Sequence, residues 1–130
     1  MDNTKLTFMD LSKNGSYTIP ENRISLNYTQ TAKTLSLNKT ISDKIRKDEY
    51  NYLRVGYTGY SAEVYFIFCK KQTSDSLAVN TKSKRINISS KYIVDKLVEV
   101  LGLQERSQHL CISGNCSNSS DYLTFKITKQ

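Results

Sequence analysis

The residues able to do covalent or metal chemistry are few. His109 is the single histidine, and Cys69, Cys111 and Cys116 are the three cysteines. A structural zinc site needs four convergent ligands, and the loop CISGNC sets Cys111 and Cys116 five apart, which is not a zinc-ligand spacing. One histidine excludes any two-histidine metal or acid–base pair; His109 reads as a strand-edge residue. No nucleophile elbow, dinucleotide fingerprint or P-loop occurs. The sequence therefore predicts a protein that is not an enzyme, with no catalytic residues, no metal and no cofactor, acting by binding. An odd cysteine count at these spacings gives no disulfide framework.

What the side chains do offer is positive charge beside aromatic rings. Nineteen Lys and Arg stand against twelve Asp and Glu, a formal charge of +7. The cations cluster in KIRK (Lys44, Arg46, Lys47), in Lys70 and Lys71, and in KSKR (Lys82, Lys84, Arg85), with Arg54 on an expected strand. Such groups neutralise phosphates and release counterions without reading a base sequence. Tyr57 and Tyr60 lie among them, as do Tyr50, Tyr52 and Tyr65, and rings of this kind can stack on exposed bases. Charge runs are ordinarily solvated faces and strand tyrosines ordinarily form cross-strand pairs, so the same residues also have a purely structural reading. The expected contact residues are Lys44, Arg46, Lys47, Arg54, Tyr57, Tyr60, Lys82, Lys84 and Arg85. Glutamate at Arg46, Lys47 and Arg54 is expected to abolish binding to an anionic partner and spare the fold, because exposed charges contribute little to stability.

These residues must be positioned by about one domain's worth of chain, 130 residues with one proline and five glycines. KLTFMDL alternates as a strand, Asn14-Gly15 suits a tight hairpin turn, and SYTIPENRISLNY reads as the returning strand, so an N-terminal hairpin over 4–28 is expected at a sheet edge. Leu35 and Leu37 then share one face of a short strand. Asn38 is a helix N-cap, Ile41 and Ile45 face inward, and YLRVGY and AEVYFIFCKK supply two strands with Val64, Phe66 and Phe68 inward.

The chain then repeats the pattern. INISSKYIVDKL (86–97) follows LSLNKTISDKI (35–45), with Ile86 and Ile88 answering Leu35 and Leu37, and Ile93 and Leu97 answering Ile41 and Ile45. Ser89 or Ser90 caps the second helix, which ends at Gly102. HLCIS matches YLRVGY, Leu110 with Leu53 and Ile112 with Val55; Leu123, Phe125 and Ile127 match Val64, Phe66 and Phe68. The predicted fold is α+β: two tandem β-α-β-β units, 34–71 and 85–129, joined by a linker over 72–84 and packed as a pseudo-dimer within a single domain, 1–130. Neither unit has enough sequence to bury its own apolar face. The first, with its short helix and basic end, is expected to make contacts; the second, with its longer apolar helix, to act as scaffold.

The order strand, capped short helix, hairpin resembles the unit of AbrB-like swapped-hairpin DNA-binding proteins, in which two units interleave into one barrel. YTIPENRISL also resembles that family's strand ending in Ile-Pro, although here it precedes both units. The small, basic, Asn- and Lys-rich character resembles accessory proteins of phages and mobile elements, which include repressors and anti-CRISPR inhibitors. The resemblance implies a DNA-binding regulator or, alternatively, an inhibitor that binds a nucleic-acid-processing protein or ribonucleoprotein of a host defence system. Homodimerisation is compatible with either. No apolar run of signal-peptide or membrane-spanning character is present, so a cytoplasmic setting and no membrane partner are expected.

Overall fold

The computed structural model describes residues 6–8, 19–58, 62–113 and 121–130. It is a mixed α and β fold dominated by one curled antiparallel sheet of eight strands with two helices. In chain order these are β1 (Arg23–Tyr28), β2 (Lys33–Ser36), α1 (Lys39–Lys47), β3 (Tyr52–Tyr57), β4 (Val64–Cys69), β5 (Leu77–Ala78), β6 (Asn87–Ser89), α2 (Lys91–Leu101), β7 (Gln108–Ser113) and β8 (Tyr122–Lys129). The sheet order is β5-β3-β4-β8-β7-β1-β2-β6.

The strands form where the sequence alternates. On β4, Val64, Phe66 and Phe68 point into the core, and on β8 Phe125 and Ile127 do the same. Phe68 meets Phe125 edge to face, with ring centroids 5.9 Å apart, a favourable geometry for two aromatic quadrupoles. Leu35, Leu37, Ile86 and Ile88 join them in one buried cluster, with Ile41 and Ile45 from α1 and Ile93, Val94, Leu97 and Leu101 from α2. Leu123 is only half-buried and packs at the rim of that cluster.

Three ladders tie the first half of the chain to the second, the first of them β1 against β7, with Ile24 opposite Leu110. β2 pairs with β6, Leu35 opposite Ile88 and Ser36 opposite Asn87, and the Leu37 N–H extends the ladder to the Ile86 carbonyl at 2.9 Å. β4 pairs with β8, Phe66 opposite Phe125, Val64 opposite Ile127 and Phe68 opposite Leu123. The hairpins adjust one expectation. Leu53 lies opposite Phe68 and Ile112 opposite Ile127, so the register equates Leu53 with Ile112 instead of Leu110. That shift of two residues keeps every side chain on its face, which is why alternation alone did not reveal it.

Two further expectations need correction. The returning strand of the N-terminal hairpin begins only at Arg23, after a turn in which the Arg23 N–H meets the Pro20 carbonyl at 2.9 Å. It lies inside the sheet, between β7 and β2, not at an edge; the turn expected at Asn14-Gly15 lies outside the described residues. The segment 72–84, read as a linker, contains β5, which pairs with β3, Leu77 opposite Leu53. Its single apolar patch supplied that strand.

Candidate binding surface

Helix α1 is held by a polar stripe. Asn38, Ser42 and Arg46 are four residues apart, so they stack along one side of the helix, and each reaches a different segment of chain. The Asn38 side-chain oxygen accepts the Ile41 N–H at 2.9 Å, capping the helix, while its amide nitrogen donates to the carbonyls of Glu21 at 2.5 Å and Arg23 at 3.0 Å. Ser42, fully buried, accepts the Ile86 N–H at 3.0 Å. Arg46 donates through Nε to the Thr81 carbonyl at 2.8 Å, through Nη2 to the carbonyls of Ser83 and Lys84, and through Nη1 to the Asp43 carboxylate at 2.9 Å.

These bonds decide what the basic residues can do. Arg46 is not a free contact, as the sequence suggested; its fork is filled by backbone carbonyls, and its replacement would release the segment 81–84. The same bonds lay that segment along α1, bringing the exposed Lys82 and Lys84 next to the helix whose outer side carries exposed Lys39, Lys44 and Lys47. At 100° per residue Lys39 and Lys47 fall on the shoulder nearer the segment and Lys44 on the shoulder away from it. Arg85 is half-buried at the end of this segment. Lys70 joins from just past the end of β4, its ammonium 5.4 Å from the centre of the Tyr50 ring just past the helix. The acidic residues on this side are Asp43, already paired with Arg46, Glu21, whose carboxylate accepts the Thr40 hydroxyl at 3.4 Å, and the exposed Asp48 and Glu49.

Arg54 is likewise occupied. It grips Asp75 with two parallel bonds, Nε to Oδ1 at 2.9 Å and a terminal nitrogen to Oδ2 at 3.0 Å, the fork geometry that makes such pairs strong. Hydrogen bonds from Arg54, then from Thr73, hold the Asp75 carboxyl below its ordinary value, so the expected cation at position 54 is met by a local anion and serves to fix the turn before β5. Tyr57 is separate from the basic side: the Lys96 ammonium of α2 lies 5.1 Å from its ring centre. Tyr60 lies outside the described residues. Of the nine residues predicted, Lys44, Lys47, Lys82, Lys84 and Arg85 are thus gathered round α1 by Arg46, and Arg54 and Tyr57 are placed elsewhere.

Sequence reasoning missed Lys39, which shares the outer side of α1, and the anchoring roles of Arg46 and Arg54. The i, i+4 spacing of Asn38, Ser42 and Arg46 was a visible signal of a polar stripe. Cys69 is buried, and burial pushes its thiol up. Among the described residues no group of three or more His, Cys, Asp or Glu side chains could hold a metal ion, and no helix is long and apolar enough to cross a membrane. No family model matches the chain, and comparison with curated proteins and with solved structures finds no significant match.

Proposed function

We propose that this protein is a non-enzymatic binding protein whose basic surface around α1 docks on the phosphate backbone of duplex DNA. The observation that carries the reading is the set of Arg46 hydrogen bonds fixing residues 81–84 along the helix, which presents Lys39, Lys47, Lys82 and Lys84 together. A rigid array of cations from two segments of chain loses less entropy on meeting an array of phosphates than flexible ones would.

The interleaved sheet supports the accompanying proposal that the two β-α-β-β units are a tandem duplicate packed as a pseudo-dimer. Exchanging the units converts Leu35 opposite Ile88 into Ile86 opposite Leu37, and Val64 opposite Ile127 into Leu123 opposite Phe68, both of which are bonds or pairs of the same sheet. Swapped-hairpin DNA-binding proteins, which the sequence resembles, interleave two units in this manner.

The test is an anisotropy titration of a labelled 20-base-pair duplex between 50 and 200 mM salt. Binding at micromolar or tighter concentration is expected at the low end, weakening steeply as salt rises. The combined substitutions Lys47→Glu, Lys82→Glu and Lys84→Glu should reduce affinity at least about tenfold and flatten the logarithmic salt slope by about 3, with an unchanged melting temperature. The alternative, an inhibitor of a nucleic-acid-processing protein or ribonucleoprotein, predicts poor binding of free DNA at every salt concentration and capture of a defined complex instead.

A further inference from the structure

The two ends of the sheet, β5 and β6, line one cleft. Leu77, Ala78 and Val79 form one wall and Asn87, Ile88 and Ser89 the other, around a volume of about 370 Å³. Each wall is the outer edge of a terminal strand. The direction of its backbone groups follows from the ladder beside it. The Val79 N–H bonds inward to the Asn51 carbonyl of the β3 side at 2.8 Å, so by the alternation of an antiparallel pair Ala78 turns its N–H and C=O into the cleft. The Ile86 carbonyl bonds inward to Leu37, so Asn87 and Ser89 turn theirs into the cleft from the other side.

The cleft continues past Leu77 into a groove of about 350 Å³ between β3, β5 and the first turns of α2. Three large apolar side chains that remain exposed, Tyr57 at 52%, Leu77 at 39% and Tyr92 at 78%, line this groove, over a floor that includes Leu53 and Ile93. One cation and one carboxylate line the groove, and two further lysines flank the cleft. Lys96 borders the groove, and Ser83, between exposed Lys82 and Lys84, borders the cleft. The one carboxylate lining the groove, Asp75, is already bonded twice by Arg54, and Lys96 has Glu99 at 3.4 Å outside it.

We propose that this seam is a peptide-binding site that takes an extended, acidic segment of another protein as an added β-strand, one large apolar side chain entering the groove beside Tyr57 and Tyr92. Two facing ladder edges supply main-chain hydrogen bonds, the groove supplies the side-chain preference, and Lys82, Lys84 and Lys96 favour carboxylates in the flanks. The site is distinct from α1 and does not depend on DNA binding, although Lys82 and Lys84 serve both.

The probe is a fluorescein-labelled nine-residue peptide of alternating threonine and valine or phenylalanine, with two glutamates at each end, titrated into the full chain. Saturable binding at micromolar concentration is expected, with amide protons of Ala78, Asn87 and Ser89 becoming protected from exchange. The same peptide with lysine flanks, or with a central proline, should bind at least about tenfold more weakly. Ala78→Pro removes an N–H that points into the cleft and not one bonded to β3, so it should abolish peptide binding and leave the DNA titration unchanged. Tyr92→Asp, at an exposed position, provides a second variant whose fold is secured by a thermal melt. No binding at millimolar peptide, equal binding of the lysine-flanked peptide, or full binding by both variants overturns the proposal. So does concentration-dependent dimerisation abolished by Ala78→Pro, which would give the seam to a second copy, or peptide binding seen only after residues 1–8 are removed, which would give it to the chain's own terminus.

Discussion

Helices α1 and α2 occupy matching places in the chain but are fastened by opposite chemistry. At a constant offset, the positions of Asn38, Ser42 and Arg46 are those of Ser90, Val94 and Val98. In α1 the stripe hydrogen-bonds to the approach to β1, the start of β6 and the segment 81–84. In α2 Ser90 caps the helix by accepting the Ile93 N–H at 3.2 Å, and Val94 is buried in the apolar core. A hydrogen bond specifies a partner and a direction, whereas apolar packing tolerates changes of shape. The first helix is therefore the one that fixes where the connecting segments run, and the second mainly supplies buried area.

The sharpest way to break this comparison is to give α1 the chemistry of α2. Ser42→Val leaves the Ile86 N–H buried without its acceptor, and Asn38→Ala removes the cap together with the donors to residues 21 and 23. Each should cost about 2–3 kcal/mol, or roughly 7–11 °C in a chain of this length, read by thermal unfolding. Ser90→Ala should cost only about 1 kcal/mol. Equal losses at Asn38 and Ser90 would mean that the two caps do the same job.

A smaller effect is expected at Arg46. Arg46→Ala should lower stability by about 1–2 kcal/mol through its lost carbonyl partners and weaken DNA binding by more than removal of one exposed cation, because residues 81–84 come loose. Lysine should not rescue it, since one ammonium cannot reproduce the planar fork. A binding loss no larger than that of Lys44→Glu would show that the anchored segment does not matter.

The smallest effects concern the helix ends. Both helices close with the same bond, Tyr50 N–H to the Ile45 carbonyl at 3.1 Å and Leu103 N–H to the Val98 carbonyl at 3.0 Å. The left-handed residue that permits it is Glu49 in one, φ 58°, and Gly102 in the other, φ 64°. Glu49→Gly should stabilise by about 0.5–1 kcal/mol, and Gly102→Ala should destabilise by about 1 kcal/mol, from backbone conformation alone, since a methyl at Gly102 meets open space. Opposite signs in chemical denaturation would overturn this account.

Much of the scaffold was legible in the sequence. Alternation placed β3, β4, β7 and β8; the apolar spacing Ile41–Ile45 and Ile93–Leu97 placed the helices; Asn38 and Gly102 marked helix ends. What could not be read were bonds between distant segments. Nothing in the type or spacing of Arg54 distinguishes a phosphate ligand from a partner of Asp75, and nothing local to Arg46 names Thr81. Composition identified where positive charge was concentrated, but only the folded chain shows which cations are already engaged. The short β5 lay hidden in a polar stretch because two residues carry no periodicity.

Strand β8 sits between β4 and β7, so the sheet order without it falls into two pieces, β5-β3-β4 and β7-β1-β2-β6. It is also the last strand in chain order. During synthesis, then, the other seven described strands can emerge before the one that joins them, and until it arrives the core-facing Phe66 and Phe68 on β4 have their β3 partners but lack Phe125 and Leu123 on the other side. Folding must be late and cooperative, dominated by contacts distant in sequence, and a ribosome-bound chain stopped before Tyr122 should expose an unpaired β4 edge of the kind chaperones recognise and aggregates recruit.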